Sequence, residues 1–181
     1  MNGRTITIGG PPGSGKSTLA KALAKVLKRE YTSAGDIFRA EAARRKLTLA
    51  QFGALAEKDE RIDIALDEQM VGLAGPTHLL DGRIIGELLV RRRIPAYRIL
   101  VVADEKVRAQ RITGRDGGIY EEVFEAMHVR EASETHRYLK YYGIDLRSQG
   151  KDLEIDSSNL DQGQVLLRVL ENLPEDLREQ G

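Results

Sequence analysis

Two rhythms of apolar and polar positions alternate along the chain. Short apolar or β-branched runs, Thr5-Ile-Thr-Ile8, Thr77-His-Leu-Leu-Asp81 and Ile99-Leu-Val-Val-Ala103, read as strands. Between them apolar residues recur at helical spacing, as in Leu19, Leu23, Val26 and Leu27, and again in Val165, Leu166, Val169 and Leu170. The pattern predicts a strand over Arg4–Gly9, a helix over Gly15–Glu30 and a short strand over Tyr31–Ser33. Helices follow to Arg45, over Leu49–Lys58 and from Asp59 to about Leu73, with Ser33 or Asp36 and then Thr48 as caps. Next come the strand Thr77–Asp81, a helix Ile84–Val90 and the strand Ile99–Ala103, which lacks alternation and should be buried on both faces. Asp104 caps a further helix, Tyr120–Tyr142 is a long one stopped by Gly143, and Leu153–Asp156 and Asp161–Leu173 close the series as strand and helix. Pro174–Gly181 reads as a polar tail. Strands alternating with helices predict an α/β fold with a five-stranded parallel, doubly wound sheet flanked by helices.

One connection is too long. From residue 34 to 73 roughly forty residues, mostly helical, separate the second strand from the third, where a minimal crossover needs about a dozen. Such an insert is a place to hold a second substrate.

The chemistry concentrates just after the first strand. Gly10-Pro11-Pro12-Gly13-Ser14-Gly15-Lys16-Ser17-Thr18 fits the phosphate-loop pattern G-x-x-x-x-G-K-[ST], in the strand–loop–helix setting that pattern requires. The glycines let backbone N–H groups approach phosphate oxygens, and the helix N-terminus faces the same anion. Lys16 brings a mobile charge to the outer phosphates, and Ser17 offers a hydroxyl to Mg²⁺. This predicts a P-loop NTPase fold that binds ATP with Mg²⁺. It leaves open what happens to the phosphate.

Composition narrows the partners. The chain has 181 residues, enough for one domain, and 28 basic residues balance 28 acidic ones, so no global basic field argues for nucleic acid. The chain has no cysteine, which removes disulfides and thiolate chemistry. No apolar run is long enough to span a membrane, and Met1–Arg4 leads straight into the first strand without a signal-peptide core. We expect a cytoplasmic monomer. His78, His128 and His136 are scattered and form no ligand set, and Gln51, Gln69 and Gln110 lie within helical patterns rather than in a switch loop.

Arginines supply candidates for the transfer step. Arg39 and Arg83 each follow the carboxyl end of a strand, where open α/β sheets bind ligands. A guanidinium forks onto phosphate in a way an ammonium does not. Asp81 ends a strand where an acid can hold Mg²⁺. Arg108, Arg111 and Arg115 share one helix face, as do Arg130 and Arg137. Glu134 stands four residues beyond Arg130 and can pair with it. The run Arg91-Arg92-Arg93 reads as a solvated helix end.

On these residues the chain resembles the nucleoside monophosphate kinases, and among them the short archaeal-type cytidylate kinases. Ser33-Ala-Gly-Asp-Ile-Phe-Arg39 is similar to the monophosphate-binding turn of that superfamily, and Leu80-Asp-Gly-Arg83 to its third-strand motif. Arg108-Ala-Gln-Arg111-Ile-Thr-Gly-Arg115 is similar to the helix that enters the lid. Arg130-Glu-Ala-Ser-Glu134 and Arg137-Tyr-Leu-Lys-Tyr-Tyr-Gly-Ile-Asp145 are similar to the return segment, and Leu153-Glu-Ile-Asp156-Ser to the last strand. Adenylate kinases follow the third strand with Asp-Gly-Phe-Pro-Arg. This chain lacks the Phe-Pro, which argues against AMP, and it shows no long insert of the bacterial cytidylate type.

The resemblance implies phosphorylation of CMP or dCMP by direct transfer from MgATP. It implies a core of 1–33, 74–113 and 143–173, a helical monophosphate-binding insert at 34–73 and a lid at 114–142. Lys16, Arg111, Arg115, Arg130 and Arg137 would act on the transferring group, Ser33, Asp36, Arg39 and Arg83 on the acceptor, and Ser17 and Asp81 on the metal. The alternatives are a kinase for UMP, AMP or a shikimate-like acceptor, or a nucleotide-binding regulatory module.

Overall fold

Five parallel strands in the order β2-β3-β1-β4-β5 form the sheet of the computed structural model, which describes residues 3–178. The elements are β1 (Thr5–Gly9), α1 (Lys16–Val26), β2 (Glu30–Ser33), α2 (Ala34–Arg44), α3 (Leu49–Lys58), α4 (Glu60–Gly72) and β3 (His78–Asp81). They continue with α5 (Ile85–Arg91), β4 (Ala96–Val102), α6 (Glu105–Asp116), α7 (Tyr120–Tyr142), β5 (Leu153–Asp156), α8 (Gln162–Asn172) and α9 (Glu175–Arg178).

Register sets the working edge. Asp81 at the end of β3 sits between Ile8 of β1 and Ser33 of β2, and β4 places Leu100 beside Gly9. The carboxyl ends of the strands therefore meet at the start of the phosphate loop.

Caps explain the helix starts. Ser33 Oγ accepts from Asp36 N, and Thr48 with Gln51 closes a capping box on α3. Asp59 and Asp104 cap α4 and α6, and Gly143, with φ of 63°, ends α7.

Three apolar clusters hold the layers. One joins the sheet to α1, α8 and α9 through Ile6, Ile8, Leu23, Val169 and Leu177. A second packs Leu80, Leu88 and Leu89 against Met70 of α4 and Ile144. A third lies within the α2–α4 segment, around Phe52, with the Phe38 ring tilted against it at a centroid distance of 4.5 Å. The long connection thus has a small core of its own.

Several expectations need correction. β4 starts at Ala96, because β1 pairs with it from Thr5↔Ala96 onward. It also alternates: Tyr97, Ile99 and Val101 are buried, while Arg98, Leu100 and Val102 are only partly covered. There Arg98 lies over Gly86 of α5, where a Cβ would come to 3.0 Å from its side chain, and meets Glu87 and Asp152. α1 stops at Val26, since Lys28 takes a φ of 51° and Arg29 N returns to Ala24 O, which frees Glu30 for β2. Val26 is 51% exposed and lies off the core face formed by Leu19, Leu23 and Leu27.

Pro174–Gly181 is not simply a polar tail. Glu175–Arg178 is helical, Leu177 is fully buried and Asp176 pairs with Arg4 at 2.8 Å. Glu179, Gln180 and Gly181 lie outside the described residues, as do Met1 and Asn2. Arg91 and Arg92 are more than a solvated helix end: Arg91 donates to the carbonyls of Tyr142 and Gly143 at the end of α7, and Arg92 pairs with Glu68.

Candidate active site

The phosphate loop is shaped by two close approaches. A Cβ on Gly10 (φ 146°) would lie 2.2 Å from the Val101 carbonyl, and one on Gly13 (φ 78°) 2.6 Å from the Arg108 carbonyl. Only glycine fits at either position. Gly15, also left-handed, precedes α1 and leaves its first N–H groups without a side-chain cap. The Ser14 carbonyl is held outward by the Ser157 hydroxyl at 2.8 Å and by Arg111 at 3.4 Å. A trans peptide sets C=O and N–H on opposite sides, so the Gly15 N–H is turned the other way. A turned N–H group beside an uncapped helix start suits an anion.

Lys16 stands at the head of α1 in a mixed field. Burial pushes its ammonium below the ordinary lysine range; Asp81 and Glu134 oppose that shift, and Arg83 and Arg130 add to it. Those four side chains are therefore neighbours of Lys16 in charge terms. Asp81 is 1% exposed, and its Oδ2 accepts from the Tyr31 hydroxyl at 3.1 Å. Burial first, and Asp81 second, push the Tyr31 phenol up to about 12, so it stays a donor.

Ser17 and Asp81 supply a hydroxyl and a carboxylate, hard oxygen donors of the kind Mg²⁺ takes. Among the described residues no group of three or more His, Asp or Glu side chains could hold a metal. Mg²⁺ commonly completes its shell with nucleotide phosphates and water, so the pair fits that ion.

Glu134 organises the other wall. Its carboxylate meets Arg83 Nε at 2.8 Å and Arg130 Nε at 2.8 Å, with Arg83 and Glu134 only 12% and 8% exposed. Burial pushes the Glu134 carboxyl up, but Arg130 and Arg83 together outweigh it and hold it below the usual range. The Gln149 side chain donates to the Arg83 carbonyl at 2.5 Å and fixes the backbone after β3.

The remaining predicted residues divide. Arg111 reaches the loop and also donates to the Ser157 hydroxyl at 2.9 Å and carbonyl at 2.6 Å. Arg115 turns onto its exposed neighbour Asp116 at 2.6 Å. Arg137 is buried against Asp63 of α4 at 2.8 Å. Arg39 pairs with Asp36 at 2.5 Å on the surface of α2, while Ser33 is spent on the cap. Lys16, Asp81, Arg83, Arg130 and Glu134 thus form one cluster, with Arg111 joined through Ser14.

Sequence reasoning missed Asp63, Ser157, Tyr31 and the second role of Glu134. The spacing Arg130, Glu134, Arg137 puts all three on one helix face, which was a usable signal for Glu134. Nothing local marks Asp63, whose partner is distant in sequence, and Ser157 reads only as a turn residue.

Comparison with known proteins shows which families the chain resembles. A family model described as an AAA domain matches residues 9–122. A cytidylate kinase of Methanocella arvoryzae is 41% identical over 160 residues, covering 86% of this chain and 89% of that protein. One of Methanococcoides burtonii is 39% identical over 160 residues, covering 87% and 89%. Among solved structures, a shikimate kinase of Bacteroides thetaiotaomicron superposes with a TM-score of 0.57 at 14% identity, over 94% of this chain and 98% of that one, a likeness of fold.

Proposed function

The chain belongs to the cytidylate kinase family, and we propose that it transfers the γ-phosphoryl group of MgATP to CMP or dCMP, giving ADP and CDP or dCDP. The observation that carries this reading is the cluster of Lys16, Asp81, Arg83, Arg130 and Glu134 beside the phosphate loop. Its cationic groups, beside the loop and on α7, support a site for phosphoryl transfer.

An oxygen of the acceptor phosphate attacks the γ-phosphorus, and the bond to the β–γ bridging oxygen breaks. The acceptor is already ionised near neutral pH, so no general base is required. The loop amides and Lys16 bind the donor phosphates; Arg83 and Arg130 bind and orient the acceptor phosphate. Ser17 and Asp81 would hold Mg²⁺, whose positive charge would offset that of the donor phosphates. Arg111 and Arg115 serve the donor side, with Arg137 in the closing segment. Ser33, Asp36 and Arg39 belong to the acceptor side. The bonds Arg39 and Arg137 make to Asp36 and Asp63 must be exchanged or shared when substrate binds.

Residues 34–73 act as the monophosphate-binding insert and 114–142 as the lid, on a core of 1–33, 74–113 and 143–173. Closure excludes water, which would otherwise take the phosphoryl group. The self-contained core around Phe52 supports motion of the insert as a unit. No described helix is long and apolar enough to cross a membrane, and the formal net charge is zero. We place the enzyme in the cytoplasm as a monomer acting on small molecules rather than nucleic acid.

ADP formation from MgATP with CMP, dCMP, UMP, AMP and shikimate in turn tests the reading. CMP or dCMP should give the highest kcat/KM. If no acceptor raises ADP formation above background hydrolysis, the kinase reading fails; if AMP or shikimate leads, the acceptor is wrong.

A further inference from the structure

A buried guanidinium that the proposed reaction does not use lies between the phosphate loop and α7. Arg108 of α6 is 4% exposed. Its terminal nitrogen donates to the Pro12 carbonyl at 3.1 Å, lies 3.5 Å from Met127 Sδ and pairs with Glu131 of α7. Its backbone also forms the wall that Gly13 approaches. Taking a guanidinium out of water is expensive, and the α6–α7 contact could be made by apolar side chains at no such penalty. This one side chain spans three elements: the loop, α6 and α7.

The Pro12 carbonyl points at Arg108, so across the trans peptide the Gly13 N–H points away from that guanidinium. A charge-assisted bond fixes that peptide more firmly than a neutral one. The other end of the guanidinium holds Glu131, adjacent in sequence to Arg130 and on the same helix as Glu134 and Arg137. We propose that Arg108 is a positioning residue, which through Pro12 and Glu131 sets the donor loop and the arginine-bearing face of α7 in one fixed relation. Touching no substrate, it acts through the Gly13 amide on one side and Arg130 on the other. The proposal rests on the kinase reading above.

The test replaces the pair with apolar side chains, Arg108→Met with Glu131→Leu, which keeps the contact filled and avoids a lone buried charge. The double variant should unfold cooperatively at a temperature no lower than wild type. Its kcat with CMP should fall about tenfold or more, since small misplacements are costly in rate, while the KM for ATP changes less. The single variants Arg108→Met and Glu131→Leu should each lower kcat, and their effects should not multiply in the double. Hydrogen exchange should quicken along residues 127–137 and in the loop but not in β1 or β4. A folded double variant with wild-type kcat and exchange would overturn the proposal, as would a kcat loss matching the fraction unfolded. Should wild type show no CMP-dependent turnover, the kinase reading fails, and the exchange pattern alone decides for or against Arg108.

Discussion

Asp63 of α4 and Arg137 of α7 meet at 2.8 Å with their side chains only 6% and 7% exposed, joining the long insert to the helix that carries Arg130 and Glu134. Around them the Tyr141 hydroxyl donates to the carbonyls of Ala56 at 2.9 Å and Glu57 at 3.0 Å. Arg137→Ala removes one partner of a buried pair. Burial already pushes the Asp63 carboxyl up, with Arg137 opposing, so the change leaves a stranded acid. We expect a loss of about 3–5 kcal/mol in denaturant unfolding. At temperatures where the variant remains folded, turnover should fall far more than ATP affinity. Wild-type stability together with wild-type turnover would remove Arg137 from both roles.

Asp67 lies one turn further along α4 and accepts from the Tyr142 hydroxyl at 2.7 Å. Burial, with help from Asp63 and Glu68 and against Tyr142 and Arg137, pushes its carboxyl up to about 7. A raised folded-state value means that the native protein binds the proton more tightly than the unfolded chain. Stability from this group is therefore complete below the unfolded value near 4 and is lost as pH rises to about 7. Asn keeps an acceptor for Tyr142 and cannot ionise. Relative to wild type, Asp67→Asn should be more stable at pH 8 than at pH 5, read as melting temperature against pH. A constant difference across that range would contradict the assignment.

The loop glycines should rank by geometry. Gly13→Ala drives a methyl group to 2.6 Å from the Arg108 backbone, whereas a Cβ on Gly15 meets nothing within 4 Å and carries only its left-handed φ of 91°. The second change should destabilise by about 1–2 kcal/mol from backbone strain alone. Gly13→Ala should exceed that and also abolish binding of a non-hydrolysable ATP analogue, measured by calorimetry. Equal effects at the two positions would contradict the packing described.

Asp81→Asn keeps the size and the acceptor for Tyr31 but removes the charge that acts on Lys16 and that the proposed Mg²⁺ site would use. The Mg²⁺ concentration for half-maximal rate should rise, and kcat should fall by about tenfold to a hundredfold, with the far-ultraviolet dichroism unchanged. An unaltered Mg²⁺ dependence would take Asp81 out of the metal site.

Much of this was legible in the chain because it is written locally. The loop, the parallel sheet implied by strand–helix alternation, and caps such as Thr48 and Asp104 are short-range patterns, and each appears in the structure, whereas the strand order β2-β3-β1-β4-β5 depends on pairing between distant segments. Arg111, Arg137 and Arg39 were visible as residues but not as contacts. Their partners, Ser157, Asp63 and Asp36, depend on side-chain placement, and two of those three are distant in sequence. Leu177 escaped because a single apolar residue among charges carries no period, yet it is fully buried against the α1–α8 layer. The alternation of β4 was hidden because all its later residues are apolar, although one face is only partly covered.

The most direct measurement uses ATP labelled in its γ-phosphate, with CMP as acceptor and Mg²⁺ present. The label should move into CDP in step with ADP formation, with no labelled protein and little free phosphate, and replacement of Lys16 by Met should slow that transfer by about a hundredfold or more. Label that passes to water or to the protein at the same rate with and without CMP would contradict direct transfer to a cytidine monophosphate.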